Sequence, residues 1–375
     1  MSNTMTSISK PAMGKSLQAM ESIYGPLPLS GSLELTTWKP PATAEGHRGR
    51  YLWTDGFAVT NFLTLYKLTN DDRYLTFARS LVQTVHDVLG YNRDGNSRLP
   101  GATEACPLNG GLRIGKHDEA GSDGDGQYFH YLTVWMFALN RLTHVSGEIW
   151  YNEQAINMAR AVLPRFMYST HTTRPRMYWK LTVDLSKPLV TGEGNLDPID
   201  GYVVYKLLQE IAAALDKTKE GILENEIALL RKIVDTKWQN YRSNDPLDIG
   251  MTLWTVHWLG EPEQWAVNLR KRAASCLNQL VQSGYFDPKI SPPSQRLAFR
   301  EFGAAIGVQS LLSAERQETS ESELGGLPQF ICKEWEEVGL VPIPTNEQGK
   351  RMAELMPITA VMYAAAVLPG SMALC

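Results

Sequence analysis

The sequence predicts an all-α fold, an (α/α)6 toroid of six inner and six outer helices. Three observations lead there. Six turns bearing acids or aromatics each open a strongly apolar helical stretch: WTDGF at 53–57, GDGQYFHY at 124–131, LDPIDGY at 196–202, PLDIGMTLW at 246–254, AFREFG at 298–303 and LMPITAVMY at 355–363. The stretches between them are longer, more charged and amphipathic, as helices facing solvent on one side must be. The composition, 43% hydrophobic and 20% charged over 375 residues, is that of a globular chain rather than a disordered one. Alternating inner and outer helices close into a ring and gather the inner-helix starts around one cavity.

Each element has its own reason. Residues 1–10 are polar and read as a disordered tail; residues 11–375 form one domain, because no linker composition divides them. Residues 16–23 read as the first outer helix. Residues 26–41 are Pro-rich and extended. The first inner helix covers 55–68, with Phe57, Asn61, Phe62, Leu65 and Tyr66 at helical spacing. Turn and N-cap residues at 69–72 then start an outer helix over 72–89, with Leu75, Ala78, Leu81, Val82 and Val85 on one face. A Gly-, Asp- and Asn-rich connection, 90–126, is long enough to read as functional. Inner helix 127–143 and outer helix 150–166 follow. A second connection, 167–196, includes a β-like run at 177–183. Inner helices at 200–215, 247–259, 295–314 and 354–367 then alternate with outer helices at 222–241, 263–283 and 328–338.

Several function classes are excluded or disfavoured. A net charge of −4 is too mild to imply nucleic acid or a membrane surface. The four cysteines are widely separated, so neither a zinc cluster nor a redox pair is present, and a reduced, cytoplasmic setting is expected. Residues 1–10 lack the apolar core of a signal peptide, and the most apolar run, 358–368, is too short to span a bilayer. Zinc-protease, Walker, serine-elbow and dinucleotide fingerprints are absent. Oligomeric state is not written in any of these features.

The alternation, together with WTDGF, GDGQYFHY and LDPIDGY, resembles the six-hairpin (α/α)6 toroid superfamily over about residues 45–370. That superfamily includes many glycoside hydrolases. Length, all-helical character and the lack of a secretion signal also resemble the atypical fungal humulene synthases. The latter resemblance implies a terpene cyclase that ionises farnesyl diphosphate with Mg2+ and closes an eleven-membered ring.

The chemistry-bearing residues admit both functional and plainer roles. Asp118, Asp123 and Asp125, in RIGKHDEAGSDGDGQ at 113–127, are the expected Mg2+ ligands, since Mg2+ takes one or two carboxylates plus phosphate oxygens. Their plainer reading is a solvated acidic loop. Arg48, Arg50, Arg113, Lys116, Arg176 and Lys180 are the expected diphosphate-binding cations; alternatively they pair with structural acids. Asp55, Asp197, Asp200 and Asp248 each sit at an inner-helix start, where capping and the helix dipole already favour acids. If two of them face each other they form the acid and base of an inverting glycosidase, with Asp55 and Asp200 the preferred pair. His130 and His257 are candidate bases on inner helices, or hydrogen-bonded core residues. Trp53, Tyr128, Trp179 and Trp254 are expected to line the cavity, where aromatic faces suit both carbocations and sugars. Three readings therefore stand: the terpene cyclase, which the density of cations favours; an inverting glycoside or uronyl hydrolase using an Asp pair; and a non-catalytic metabolite-binding toroid.

Overall fold

A computed structural model describes residues 10–41, 50–119, 121–259, 263–315, 324–339 and 355–368. The chain starts with α1 (Lys10–Tyr24) and a short α2 (Leu33–Thr37), the latter inside the segment expected to be extended. Four complete inner–outer pairs follow: α3 (Leu52–Thr69) with α4 (Asp72–Leu89), α5 (Phe129–Ser146) with α6 (Ile149–Phe166), α7 (Asp197–Leu215) with α8 (Glu224–Lys237), and α9 (Pro246–His257) with α10 (Gln264–Gln282). Then come α11 (Ala298–Glu315), α12 (Leu327–Val338) and α13 (Met356–Ala366). Of the tail expected at 1–10, residues 1–9 lie outside the described residues, and Lys10 begins α1.

The packing order makes the ring. α3 packs on α5, α5 on α7, α7 on α9, α9 on α11, α11 on α13, and α13 returns to α3. Each of α4, α6, α8, α10 and α12 packs outside the inner helix before it, and α1 packs outside α13. The first helix of the chain thus completes the last hairpin. Its register is set by the Ser16 hydroxyl, which donates to the Ala364 carbonyl at 3.0 Å.

Inner and outer helices differ as the sequence pattern demands. Every residue of α3 from Leu52 to Leu65 is buried, so no solvent-facing stripe remains. α4 buries Tyr74, Leu75, Ala78, Leu81, Val82, Val85 and Leu89, one face only. The tightest crossing is α9 on α11: a side chain at Gly250 would overlap the Gly303 carbonyl, and one at Gly307 would overlap the Gly250 backbone. Glycine at these positions lets the two backbones touch, closer than the usual separation set by side chains.

The two long connections are pinned to the ends of the inner helices. β1 (Gln127–Tyr128) pairs antiparallel with β4 (Lys180–Leu181), and β2 (Met167–Tyr168) pairs with β3 (Arg176–Met177). The buried Gln127 amide donates to the Gly110 and Val183 carbonyls and accepts from the Leu112 N–H, so one side chain ties both connections together. Asp125 is a second knot. Its carboxylate is fully buried, pairs with Arg93 at 2.9 Å and Arg113 at 3.1 Å, and accepts from the backbone N–H groups of Gly115 and Lys116. No helix among the described residues is long and apolar enough to cross a membrane.

Candidate active site at the mouth of the ring

The first turns of α3, α5, α7 and α9 lie at one end of the ring and carry its chemistry. α7 begins with Asp197 and Asp200 three residues apart, hence on one face, with Pro198 pre-shaping the first turn. His130 stands in the first turn of α5, delivered there by β1. Trp53 opens α3, and Asp248 opens α9.

These side chains meet. His130 Nδ1 lies 2.5 Å from Asp200 Oδ2, and the Thr255 hydroxyl donates to Asp200 Oδ1 at 2.7 Å. The Trp53 indole nitrogen lies 3.0 Å from His130 Nε2 and donates to it when the ring is neutral, the ring proton then sitting on Nδ1 and facing the carboxylate. The His130 backbone N–H donates to Asp197 Oδ1 at 3.2 Å. Asp248 accepts from the Asn195 amide at 3.0 Å and from the Tyr241 hydroxyl at 3.1 Å.

Their titration is displaced from the ordinary ranges. Burial pushes the Asp197 carboxyl up to about 7, against the opposing pull of His130. The cause is visible in the backbone: a side chain at Gly194 would overlap Asp197 Oδ2, so the loop before α7 lies directly on this carboxyl and keeps water off it. Burial opposes charge on His130, but the Asp200 carboxylate outweighs it and holds the ring above its usual pKa. Burial also raises Asp248, against hydrogen bonds from Ser243, Asn195 and Tyr241. Separated titrations within one cluster are the arrangement that acid and base work requires.

Aromatics wall the mouth and plug the ring beneath it. Tyr128 stacks on Tyr131 with centroids 4.7 Å apart and meets Trp179 edge-on at 4.8 Å. Deeper, Trp254 meets Phe137 edge-on at 4.8 Å and lies 6.3 Å from Phe57. The site is a mouth with a closed apolar floor.

The other residues singled out from the sequence make different contacts. Asp55, preferred as the partner of Asp200, is fully buried: its Oδ1 accepts from Arg50 Nε and the Tyr24 hydroxyl, both at 2.7 Å, and its Oδ2 from Arg50 Nη2 at 3.2 Å. This ion pair occupies both groups. His257 ends α9, nine residues beyond Asp248 and so about 14 Å further along the axis, at 1.5 Å per residue. Burial lowers its pKa, and it packs edge-on against Trp258. Arg113 is held by Asp125 and the Tyr91 and Val88 carbonyls. Lys116 pairs with the exposed Asp123, and Lys180 donates to the Ser122 and Gly124 carbonyls. Arg176 pairs at the surface with Glu193. Asp118 is exposed, and its carbonyl accepts from the Asp125 N–H. Arg48 lies outside the described residues. Among the described residues no three His, Cys, Asp or Glu side chains form a group that could hold a metal. The cations and acids expected to grip a metal diphosphate largely neutralise one another or bind backbone.

No protein-family model matches the chain, and no curated protein matches it. Solved structures do. One is a family 76 glycoside hydrolase from a bovine Bacteroides thetaiotaomicron strain, at 11% identity and TM-score 0.56, covering 96% of this chain and 78% of that one. Another is an inactive variant of the alpha-1,6-mannanase of Salegentibacter sp. HEL1_6, with two consecutive aspartates replaced by asparagine, in complex with alpha-1,6-mannotriose. It matches at 12% identity and TM-score 0.55, covering 95% of this chain and 98% of that one. A third is the cellobiose 2-epimerase from Spirochaeta thermophila, at 12% identity and TM-score 0.53, covering 96% and 98%. At such identities the likeness establishes the fold, the (α/α)6 toroid, and nothing finer. It overturns the terpene cyclase expectation, with its prenyl diphosphate substrate and carbon–oxygen lyase activity: the structural neighbours are glycoside hydrolases and an epimerase, and no humulene synthase resemblance is supported.

Proposed function

We propose that this protein hydrolyses a glycosidic bond in a saccharide seated at the mouth of the ring. The observation that carries the reading is a buried carboxyl, Asp197, set against the His130 N–H and under the Gly194 backbone, beside the His130–Asp200 pair and within one mouth with Asp248; burial pushes it up to about 7. Asp197 would donate its proton to the departing glycosidic oxygen. Asp248, held by Asn195 and Tyr241, would take the proton of the attacking water from the opposite side, giving inversion at the anomeric carbon. His130 and Asp200 would bind a sugar hydroxyl, with Tyr128 and Trp179 as stacking surfaces and Trp53 fixing the imidazole. This chemistry requires no metal ion, so turnover should survive EDTA.

The neighbours make α-mannosides the first class to try. The linkage does not follow from them at 11–12% identity. The two consecutive aspartates of this chain, Asp71 and Asp72, cap the outer helix α4 and lie away from the mouth. The test is hydrolysis of a panel of aryl α- and β-glycosides and α-1,6-linked mannooligosaccharides by the wild type and by Asp197→Asn. Loss of roughly a hundredfold or more in kcat is expected for the variant, the usual worth of a general acid. A fully active variant would refute the assignment.

One observation favours a second reading. An imidazole with Nδ1 on a carboxylate would move a carbon-bound proton next to a sugar carbonyl, as epimerisation needs, once its Nε2 is released from the Trp53 indole. Incubating a reducing disaccharide in D2O separates the two. Deuterium appearing at C2 without bond cleavage supports proton transfer, and cleavage without exchange supports hydrolysis.

A further inference from the structure

Behind Asp248, on the rim of the ring, the turn at 241–244 and the outer helix α10 enclose a cavity of about 610 Å3. Its wall carries Arg242, Ser243 and Asn244 from the turn, and Arg272, Ser275 and Gln279 from α10. The α10 residues are spaced three and seven apart, so they share one face of that helix. No acid lines the cavity.

The charge here is not compensated. Several other arginines of this molecule are tied down: Arg50 to Asp55, Arg231 to Glu263, Arg296 to Glu301. Asp245, the acid nearest Arg242 in sequence, is taken by Arg300. Among the described residues neither Arg242 nor Arg272 has a hydrogen-bond or ion-pair partner. Two free guanidinium forks with hydroxyls and amides between them, in a chain of net charge −4, form a concave anion receptor.

We propose that this cavity binds a phosphate dianion, free or as a phosphomonoester. The occupant would bear on the mouth, since Tyr241 is shared: it lines the cavity, and its hydroxyl donates to Asp248 and accepts from Thr252. The inference goes beyond the saccharide reading and does not depend on it.

The test is isothermal titration of the whole protein with inorganic phosphate and with a hexose 6-phosphate, at constant ionic strength. Saturable binding is expected for at least one, weakened about tenfold or more in Arg242→Ala/Arg272→Ala, and only partly retained in the double Lys variant, which keeps charge without the fork. Binding of the sugar phosphate alone identifies a phosphomonoester as the ligand, and binding of both identifies the phosphate group itself. Both arginines are exposed, so an unchanged melting temperature without anion is expected for the variants. No saturable binding of either probe, or equal binding by the double Ala variant, overturns the proposal. Binding is read without turnover, so its failure leaves the hydrolase reading standing.

Discussion

Asp197 holds its proton under a lid of backbone. The Gly194 turn lies on its carboxyl, and the backbone N–H groups of His130 and of Asp197 itself do not offset the burial that pushes it up to about 7. If it is the general acid, kcat/KM falls as pH rises through about 7, and the basic limb of the profile disappears in Asp197→Asn. A basic limb unchanged in that variant would assign it to another group. Asp55 shows what the same residue type does in a different setting. The two carboxyls share a residue type and a place in the first turn of an inner helix, and no periodicity separates them. What separates them is Arg50, five residues upstream, and Tyr24 on α1, which together close over Asp55. At Asp197 the nearby cation is Lys237, which donates to the Gly194 carbonyl at 2.6 Å, and its pull is outweighed by burial. That difference depends on the path of a loop, which apolar spacing does not encode.

At the scale of elements, the helices were legible because burial is periodic. The outer helix α4 begins and ends where its amphipathic face begins and ends, and Asp71 caps it through the Arg73 N–H. The strand-like run after 176 is two strands of two residues each, because Trp179 turns out of the ladder to pack on Tyr128. The loop 113–127 was legible as charged but not as neutralised, since Arg93 reaches Asp125 from thirty-two residues upstream. Asp125→Asn should therefore cost stability, on the order of 3 kcal/mol, by leaving the largely buried Arg113 unpaired. Denaturant unfolding measures this, and an unchanged midpoint would deny Asp125 its structural role. Gly250→Ala should destabilise by about 1–3 kcal/mol through overpacking of α9 on α11, because neither backbone can retreat without opening the ring.

At the scale of the whole molecule, the toroid turns six sequence-distant turns into one rim, and its stability carries the trace of the groups buried there. Asp197 and Glu301 are both raised to about 7, from ordinary values of 3.8 and 4.5. Between roughly pH 4 and 7 the unfolded chain has released these protons while the folded one keeps them. Each group therefore makes stability fall as pH rises through that window. Buried His86, lowered to about 3 from 6.5, acts oppositely: the unfolded chain binds its proton below 6.5 and the folded chain does not, so its contribution rises with pH across that range. The melting temperature of Asp197→Asn relative to the wild type should accordingly climb between pH 4 and 7 and then level off. A difference that stays flat over that range would mean Asp197 is ionised throughout.

The fold itself explains why function was harder to read than architecture. Twelve helices announce themselves by which faces are apolar, whereas the mouth is assembled from single residues of α3, α5, α7 and α9 that touch only after the ring closes. The measurement that bears most directly on this account is turnover of the glycoside panel by wild-type protein, Asp197→Asn and Asp248→Asn, each with EDTA present. Metal-independent release of sugar by the wild type, lost in both folded variants, is the expected result. Full activity in both variants, or no turnover of any saccharide by well-folded wild type, would contradict it.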